Sequence, residues 1–276
     1  MTENTRLVSV VMITYNHEKY IEKAIESVLM QETDFDFELI ISNDCSSDGT
    51  HKVIEKIINN HPKSAKINYT NHPKNIGMMP NFQYALENAS GKYIAICDGD
   101  DYWTDTKKLQ KQADFLENNP DYAICHHNVI ELRGLKKRKR NHKLKENRTT
   151  DLAYLAKGNY IHSSTIFLRN KIDKFPDYFK SASNGDYFIL MLVARYGKIK
   201  YFMDIMSIYR IHKKANWSSQ KKRIQRENHI HFLENIKDNF DSDIQLILDK
   251  QIDSVKQKNL DLEKNLLGKI KAIFNR

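Results

Sequence analysis

Four short apolar runs, separated by stretches of helical period, constrain this chain more than any other feature. Val8–Thr14 (VSVVMIT) is a continuous β-branched run, as expected of a central strand in a parallel sheet. Phe37–Ser42, Lys66–Thr70 and Tyr93–Cys97 read as three further strands, the third of them short. Tyr20, Ile21, Ala24, Ile25, Val28 and Leu29 recur at helical spacing after Asn16, a candidate cap. Val53–Asn60 and Asn81–Ala89 read as two more helices. Strands alternating with helices imply βαβ units and a sheet covered on both faces. A chain of 276 residues can bury one such α/β core and carry an appendage.

Beyond Trp103 the pattern loosens. It predicts a helix over Lys107–Glu117, strands over Tyr122–His126 and Ser164–Leu168, a helix over Asp186–Tyr196, and a strand over Lys198–Met203. Met206–Arg210 then leads into a polar loop holding His212, Lys213, Lys214 and Trp217. From Gln220 onward the chain turns helical, with Ile244, Leu248, Ile252, Val255, Leu262, Leu266 and Ile270 forming a broken apolar stripe.

In sheets of this kind ligands bind outside the carboxyl ends of the strands. Those ends carry Tyr15, Asp44 and the knot Asp98-Gly99-Asp100-Asp101. Three carboxylates within four residues repel one another unless a positive group sits among them. A hard divalent cation, Mg²⁺ or Mn²⁺, suits such oxygen ligands, and a solvated acidic turn is the plainer alternative.

Composition narrows the class. At 40% apolar and 29% charged residues the chain is ordinarily globular. The first ten residues lack a signal-peptide pattern, and no apolar run reaches the roughly 18 residues of a membrane span. Cys45, Cys97 and Cys125 fit neither a disulfide framework nor a paired zinc motif, which points to a reduced, cytoplasmic protein. His126 and His127, beside Cys125, lack a spaced metal partner and read as strand-end residues. The formal charge of +9 is concentrated in Arg133–Arg148, which contains Lys136-Lys137-Arg138-Lys139-Arg140. Such a run suits anionic lipid headgroups, nucleic acid or an acidic substrate, with a solvated loop as the alternative.

Six segments now carry a resemblance: VSVVMITYNHEKYIEKAIESVLMQ, SNDCSSDGT, NIGMMPN, CDGDDYW, NGDYF and YRIH. In this order and spacing they resemble the family 2 inverting glycosyltransferases of GT-A fold, most closely the bacterial enzymes that build capsule, lipopolysaccharide and other surface glycans. The resemblance implies a Rossmann-like, mostly parallel central sheet flanked by helices. It divides the chain into a catalytic domain over residues 1–218 and a C-terminal helical extension over 219–276. Within the catalytic domain the nucleotide-binding half spans about 1–105 and the acceptor-binding half about 106–218.

By that resemblance the donor is a nucleotide diphosphate sugar, UDP-linked, and the acceptor a hydroxyl of a glycan or a lipid-linked glycan. Tyr15 would stack on the base, as an aromatic face at a strand end can. Asp44 would accept from the base N3–H, with Asn43 standing where the family often has another acid. Asp100 would coordinate Mn²⁺ or Mg²⁺ on the diphosphate, and Asp98 would reach the ribose, the sugar or the metal. Asp101 would support them from behind. Asp186 would be the general base, with capping of a helix from Tyr187 as its structural alternative. His212 would ligate the metal or touch the diphosphate, Arg210 would bind anion or be structural, and Trp217 would cover the sugar or acceptor.

Other classes fit less well. A sugar-phosphate nucleotidyltransferase needs a glycine-rich phosphate loop after the first strand, and Thr14-Tyr15-Asn16-His17-Glu18 has no glycine. A non-catalytic nucleotide-sugar or nucleic-acid binding protein would use the basic run, but no aromatic-interleaved RNA motif accompanies it, so nucleic acid is not expected. The basic run and the basic amphipathic tail after Leu266 suggest peripheral docking on the cytoplasmic membrane face. The helical stripe could instead pack on the catalytic domain or pair between subunits as a homo-oligomer.

Overall fold

The computed structural model describes residues 7–139, 144, 146–172, 174–212 and 221–274. The first half alternates as its periodicity requires. β1 (Val8–Thr14), α1 (Ile21–Leu29), β2 (Phe37–Asn43), α2 (Thr50–Asn60), β3 (Ile67–Asn71), α3 (Met78–Glu87) and β4 (Tyr93–Ile96) follow in turn. β1 pairs in parallel with both β2 and β4, and β2 with β3. The second half comprises β5 (Tyr102–Trp103), α4 (Lys108–Asn118), β6 (Tyr122–Arg133), β7 (Lys136–Lys139), β8 (Arg148–Thr150), α5 (Leu152–Leu155), β9 (Phe167–Arg169), α6 (Gly185–Val193) and β10 (Lys198–Ile211). Two helices, α7 (Lys222–Ile236) and α8 (Ser242–Phe274), close the chain.

All of it forms one sheet of order β3-β2-β1-β4-β9-β6-β10-β5, with β7 beside β6 and β8 beside β10. The parallel character belongs to the first four strands. β9 runs antiparallel to both β4 and β6, while β6 and β10 are parallel. Alternating side chains of the central strands feed two cores. Val10, Met12, Leu39 and Ile41 pack with α1, α2 and α4 on one face. Val11, Ile40, Ile94 and Ile96 pack on the other with α3, α6, α7 and α8. The boundary expected at residue 218 lies outside the described residues, but Phe232, Leu233, Ile236, Ile244, Leu248 and Ile252 belong to that second core. The inner part of the C-terminal stripe therefore packs on the sheet domain.

Several local expectations are corrected. Asn16 does not cap α1, whose preceding residue is Tyr20 with no side-chain cap bond. It takes φ 56° and its side-chain oxygen accepts from Ser47 N at 2.8 Å, tying the turn after β1 to the turn after β2. His126 and His127 are buried in the middle of β6, not at its end, because that strand runs on to Arg133. Ser163–Thr165 is a single 3₁₀ turn before the shorter β9. The two segments expected around Met203 and Met206 are one strand, β10, with register shifts between Phe202 and Ser207. The basic run begins as β7, hydrogen-bonded to β6.

Two buried ionisable groups were not legible beforehand. Glu38 is 1% exposed, and its carboxylate accepts from Ser9 Oγ, Ser90 N, Ser90 Oγ and Asn68 Nδ2 at 2.6–3.1 Å, joining β1, β2, β3 and the approach to β4. Lys108 is fully buried, with Nζ 2.7 Å from Gln112 Oε1 and 4.0 Å from the centre of the Trp103 ring. Among the described residues, no helix is long and apolar enough to cross a membrane.

Candidate active site

The carboxyl ends of β1, β2 and β4 and the amino end of α6 open on one cavity of about 1570 Å³. Its lining includes Tyr15, His17, Asp44, Asp98, Asp100 and Asp186. Tyr15 follows β1 and is 40% exposed. Asp44 leaves β2 nearly buried, and its carboxylate accepts from Ile76 N at 2.6 Å and Gly77 N at 3.0 Å. Gly77 has φ 92°, so the turn that offers both amides needs glycine. Each Asp44 oxygen keeps acceptor capacity for a further donor.

The acidic knot is pressed against the end of β1. Gly99 N donates to Ile13 O at 3.0 Å, and a Cβ on Gly99 would lie 2.7 Å from Thr14 Oγ1. This close approach brings His17 to the acids. His212 Nε2 is 2.9 Å from Asp100 Oδ2 and His17 Nε2 is 3.8 Å from the same oxygen. One ligand atom from each of His17, Asp100 and His212 lies within 4.8 Å of the others. A divalent ion bonded at about 2.1 Å to each would need separations of about 3–4.2 Å, so this carboxylate and the two imidazoles could hold such an ion after a slight closure. These residues fit Mn²⁺ by chemistry better than they fit Mg²⁺, since imidazole suits transition metals.

The carboxylates are driven apart electrostatically. Asp98 faces the cavity but is surrounded by protein on its other sides; burial, then the charge of Asp100, raises its pKa to about 7. Its Oδ2 accepts from Ser163 Oγ at 2.7 Å. Burial opposes ionisation of Asp100 too, but the hydrogen bond from His212 and the charge of His17 outweigh it and hold that carboxyl below its ordinary value. Asp101 is 1% exposed and raised well above the carboxylate range by burial and its two neighbours. Its Oδ1 accepts from Arg210 N at 2.8 Å. Arg210 also donates from Nη1 to Asp100 O at 2.6 Å and lies over the Tyr102 ring at 4.4 Å. The Arg210 guanidinium is thus held on the backbone of the acidic knot.

Asp186 sits inside the first turn of α6, which begins at Gly185 with Asn184 as the preceding cap residue. Its Oδ1 accepts from Tyr187 N at 2.8 Å, while among the described residues Oδ2 has only a long contact of 3.5 Å from Asn159 Nδ2. Burial raises its pKa. A Cβ on Gly185 would lie 2.8 Å from Phe82 Cδ1, so α6 reaches this position only because the residue before Asp186 is glycine.

Sequence reasoning missed His17, although it belongs to the segment that follows β1; nothing in the spacing shows that Gly99 folds back against it. It also missed Ser163 and Asn159, and the contribution of α7 and α8 to the cavity wall through Gln225, Arg226, His229, Lys250, Gln251 and Lys258. Trp217, Lys213 and Lys214 lie outside the described residues.

Comparison with known proteins adds the following. The sequence pattern of the family described as "Glycosyl transferase family 2" matches residues 9–175. An uncharacterised protein of Mycobacterium tuberculosis is 32% identical over 215 residues, covering 76% of this chain and 60% of that protein. The chain thus spans less than two thirds of that relative. The UDP-Glc:alpha-D-GlcNAc-diphosphoundecaprenol beta-1,3-glucosyltransferase WfaP of Escherichia coli is 38% identical over 111 residues, covering 40% of this chain and 41% of WfaP. Among solved structures, residues 1–349 of S. aureus TarS in complex with UDP-GlcNAc superpose with a TM-score of 0.66 at 21% identity, covering 89% of this chain and 70% of that one. Mannosyltransferase PcManGT of Pyrobaculum calidifontis, in complex with GDP-Man and Mn²⁺, gives a TM-score of 0.64 at 15% identity over 98% of this chain and 81% of that one. These two share the fold: a mixed sheet with flanking helices, the GT-A architecture.

Proposed function

The chain belongs to glycosyl transferase family 2, and from that premise we propose that it moves a sugar from a UDP-sugar to a hydroxyl of a glycan or lipid-linked acceptor, with inversion at the anomeric carbon. The observation that carries the proposal is the meeting of Tyr15, Asp44, Asp98, Asp100 and Asp186 on one cavity, from four separate elements. Support for the donor class comes from the nucleotide sugars bound by TarS and PcManGT, and support for a lipid-linked acceptor from the diphosphoundecaprenol named for WfaP.

In this reading the Tyr15 ring stacks on the base and Asp44 accepts from its imide N–H. That choice discriminates against bases lacking the donor. Asp98, paired with Ser163, faces the ribose or the sugar. Asp100, His212 and His17 would hold a divalent cation, Mn²⁺ or Mg²⁺, which when bound supplies positive charge to the departing diphosphate. Arg210 keeps the acidic knot in place for that role. Asp186 takes the proton of the acceptor hydroxyl as its oxygen attacks the face opposite the diphosphate. We also place the catalytic domain within residues 1–218, with the C-terminal helices as its extension.

We further propose peripheral docking on an anionic membrane. Lys136, Lys137, Arg138 and Lys139 of β7 are all exposed, and Leu135 at the hairpin tip is fully exposed. β6 pairs Arg133 with Ile211 of β10, one residue before His212, so the hairpin stands at the sheet end where the cavity opens.

The deciding experiment screens UDP- and GDP-sugars for metal-dependent release of the nucleotide, in the wild type and in Asp100→Ala and Asp186→Ala. We expect one UDP-sugar to be turned over by the wild type and neither variant to match it. Full activity in both variants would overturn the assignment.

A further inference from the structure

The cavity is electrically divided. Its carboxylates, Asp44, Asp98, Asp100 and Asp186, lie on the sheet ends and α6, whereas the wall formed by α7, α8 and the turn after α5 presents Arg226, Lys250, Lys258 and Lys157. On α8 the residues that face the cavity are Ile247, Lys250, Gln251, Ser254, Val255 and Lys258, spaced three and four apart and therefore on one stripe. The neighbouring stripe, Ile244, Leu248 and Ile252, is buried in the core, which fixes the rotation of the helix. The cationic face is thus held toward the cavity by the packing of the adjacent stripe.

Other cations of the same C-terminal segment are paired with carboxylates. Lys237 pairs with Asp249 at 3.1 Å, Lys256 with Glu234 at 3.1 Å and Arg223 with Glu227 at 2.7 Å. Among the described residues, none of the four cavity cations has a carboxylate within ion-pair distance. Among the described residues Arg226 donates only from Nη1, to Lys258 O at 3.1 Å and Asn259 Oδ1 at 3.5 Å, leaving the rest of its donor fork. Four cations gathered on one concave wall repel one another, and a multiply charged anion relieves that repulsion. The wall also adjoins the base. His229 of α7 is 3.0 Å from Asn184 Nδ2, two residues before Asp186, and 3.1 Å from Gln251 Nε2 of α8.

We propose that the α7–α8 wall is an anion subsite that receives a phosphate or diphosphate group of the acceptor, through Arg226, Lys250, Lys258 and Lys157. This rests on the glycosyltransferase reading and names the acceptor class of that same site. It anchors the acceptor by its charge while the hydroxyl meets the base. Ile247 and Val255 on the same stripe of α8 give the anion's organic substituent an apolar seat.

The chemistry is shared by two sources, a lipid diphosphate and a phosphate within a glycan. The test therefore titrates the full chain, already saturated with UDP and Mn²⁺, with inorganic pyrophosphate, with decyl diphosphate and with a glycerol phosphate trimer, by calorimetry. The same titrations are run on Lys250→Glu/Lys258→Glu and on the milder Lys250→Gln/Lys258→Gln, both sites being exposed and so tolerant of change. We expect at least one phosphate ligand to bind the UDP-loaded wild type, charge neutralisation to weaken it several-fold and charge reversal at least about 10-fold, with UDP affinity unchanged. Tighter binding of decyl diphosphate would assign the subsite to a lipid diphosphate, and tighter binding of the trimer to a glycan phosphate. No binding of any of the three, equal binding by the variants, or displacement of UDP by pyrophosphate would overturn the subsite. Failure of UDP itself to bind would be seen in the first titration, and would count against the donor reading separately.

Discussion

Asp186 combines a carboxyl raised by burial with one weakly engaged oxygen, the combination a general base needs. A base works only when ionised, so a raised pKa moves the acid limb of the rate profile upward: turnover climbs as pH rises through that pKa and levels above it. Asp186→Asn is expected to lower kcat by about 10²–10⁴-fold with little change in donor KM, and to remove that limb from the residual rate. Unchanged turnover would remove Asp186 from the role. Lys108 gives the opposite kind of prediction. Burial lowers its pKa to about 7 in the folded chain, against about 10.4 when unfolded. Between these values the unfolded chain holds more proton, so stability rises with pH from about 7 to about 10.4. Below the folded pKa the full cost of burying the charged amine is felt. Lys108→Met should raise Tm at pH 6 and flatten its rise toward pH 10, removing a pH dependence of up to about 4–5 kcal/mol in unfolding free energy. A variant with the slope of the wild type would show that the buried amine is not its source.

Among elements, the C-terminal helices are the ones whose role the fold changes. Phe232, Leu233, Ile236, Ile244, Leu248 and Ile252 share a core with Leu190 of α6 and Ile94 of β4, and α8 supplies a wall of the cavity. Removing residues 219–276 uncovers that core, and each of six large apolar side chains contributes about 1.5–3 kcal/mol by burial. A chain ending at 218 is therefore expected to be insoluble or to lose its cooperative thermal transition, as read by circular dichroism. A folded truncation with wild-type Tm would show that the helices are an accessory after all. The apolar residues left outward on α8, Leu246, Leu260 and Leu262, stand apart from that core stripe.

For the whole molecule the uneven charge decides how the protein approaches its surroundings. The basic hairpin stands at the sheet end where the cavity opens, so docking through it would turn the cavity toward lipid-borne acceptors. Cosedimentation with vesicles containing anionic lipid should capture the chain at low salt and lose it as salt rises, since each basic residue near such a surface is worth about 1 kcal/mol. Lys136→Glu/Arg138→Glu should abolish capture without altering Tm. Retention in the supernatant at low salt would end the membrane reading.

What the sequence determined by itself was local and periodic. Apolar runs with β-branched residues named the first four strands, helical spacing named α1 and most of α2 and α3, and six short segments named the family. These signals are legible because a two-residue or 3.6-residue period depends only on neighbours along the chain. The tertiary structure decided what depends on distant approach. It placed His17 beside Asp100 because Gly99 lets the acidic knot touch β1, and it put Glu38 among donors from three other segments. It turned β9 antiparallel and brought α7 and α8 to the cavity. A lysine's burial, an aspartate's raised pKa and a cationic cavity wall are properties of surroundings, and those surroundings exist only once residues far apart in the chain have packed together.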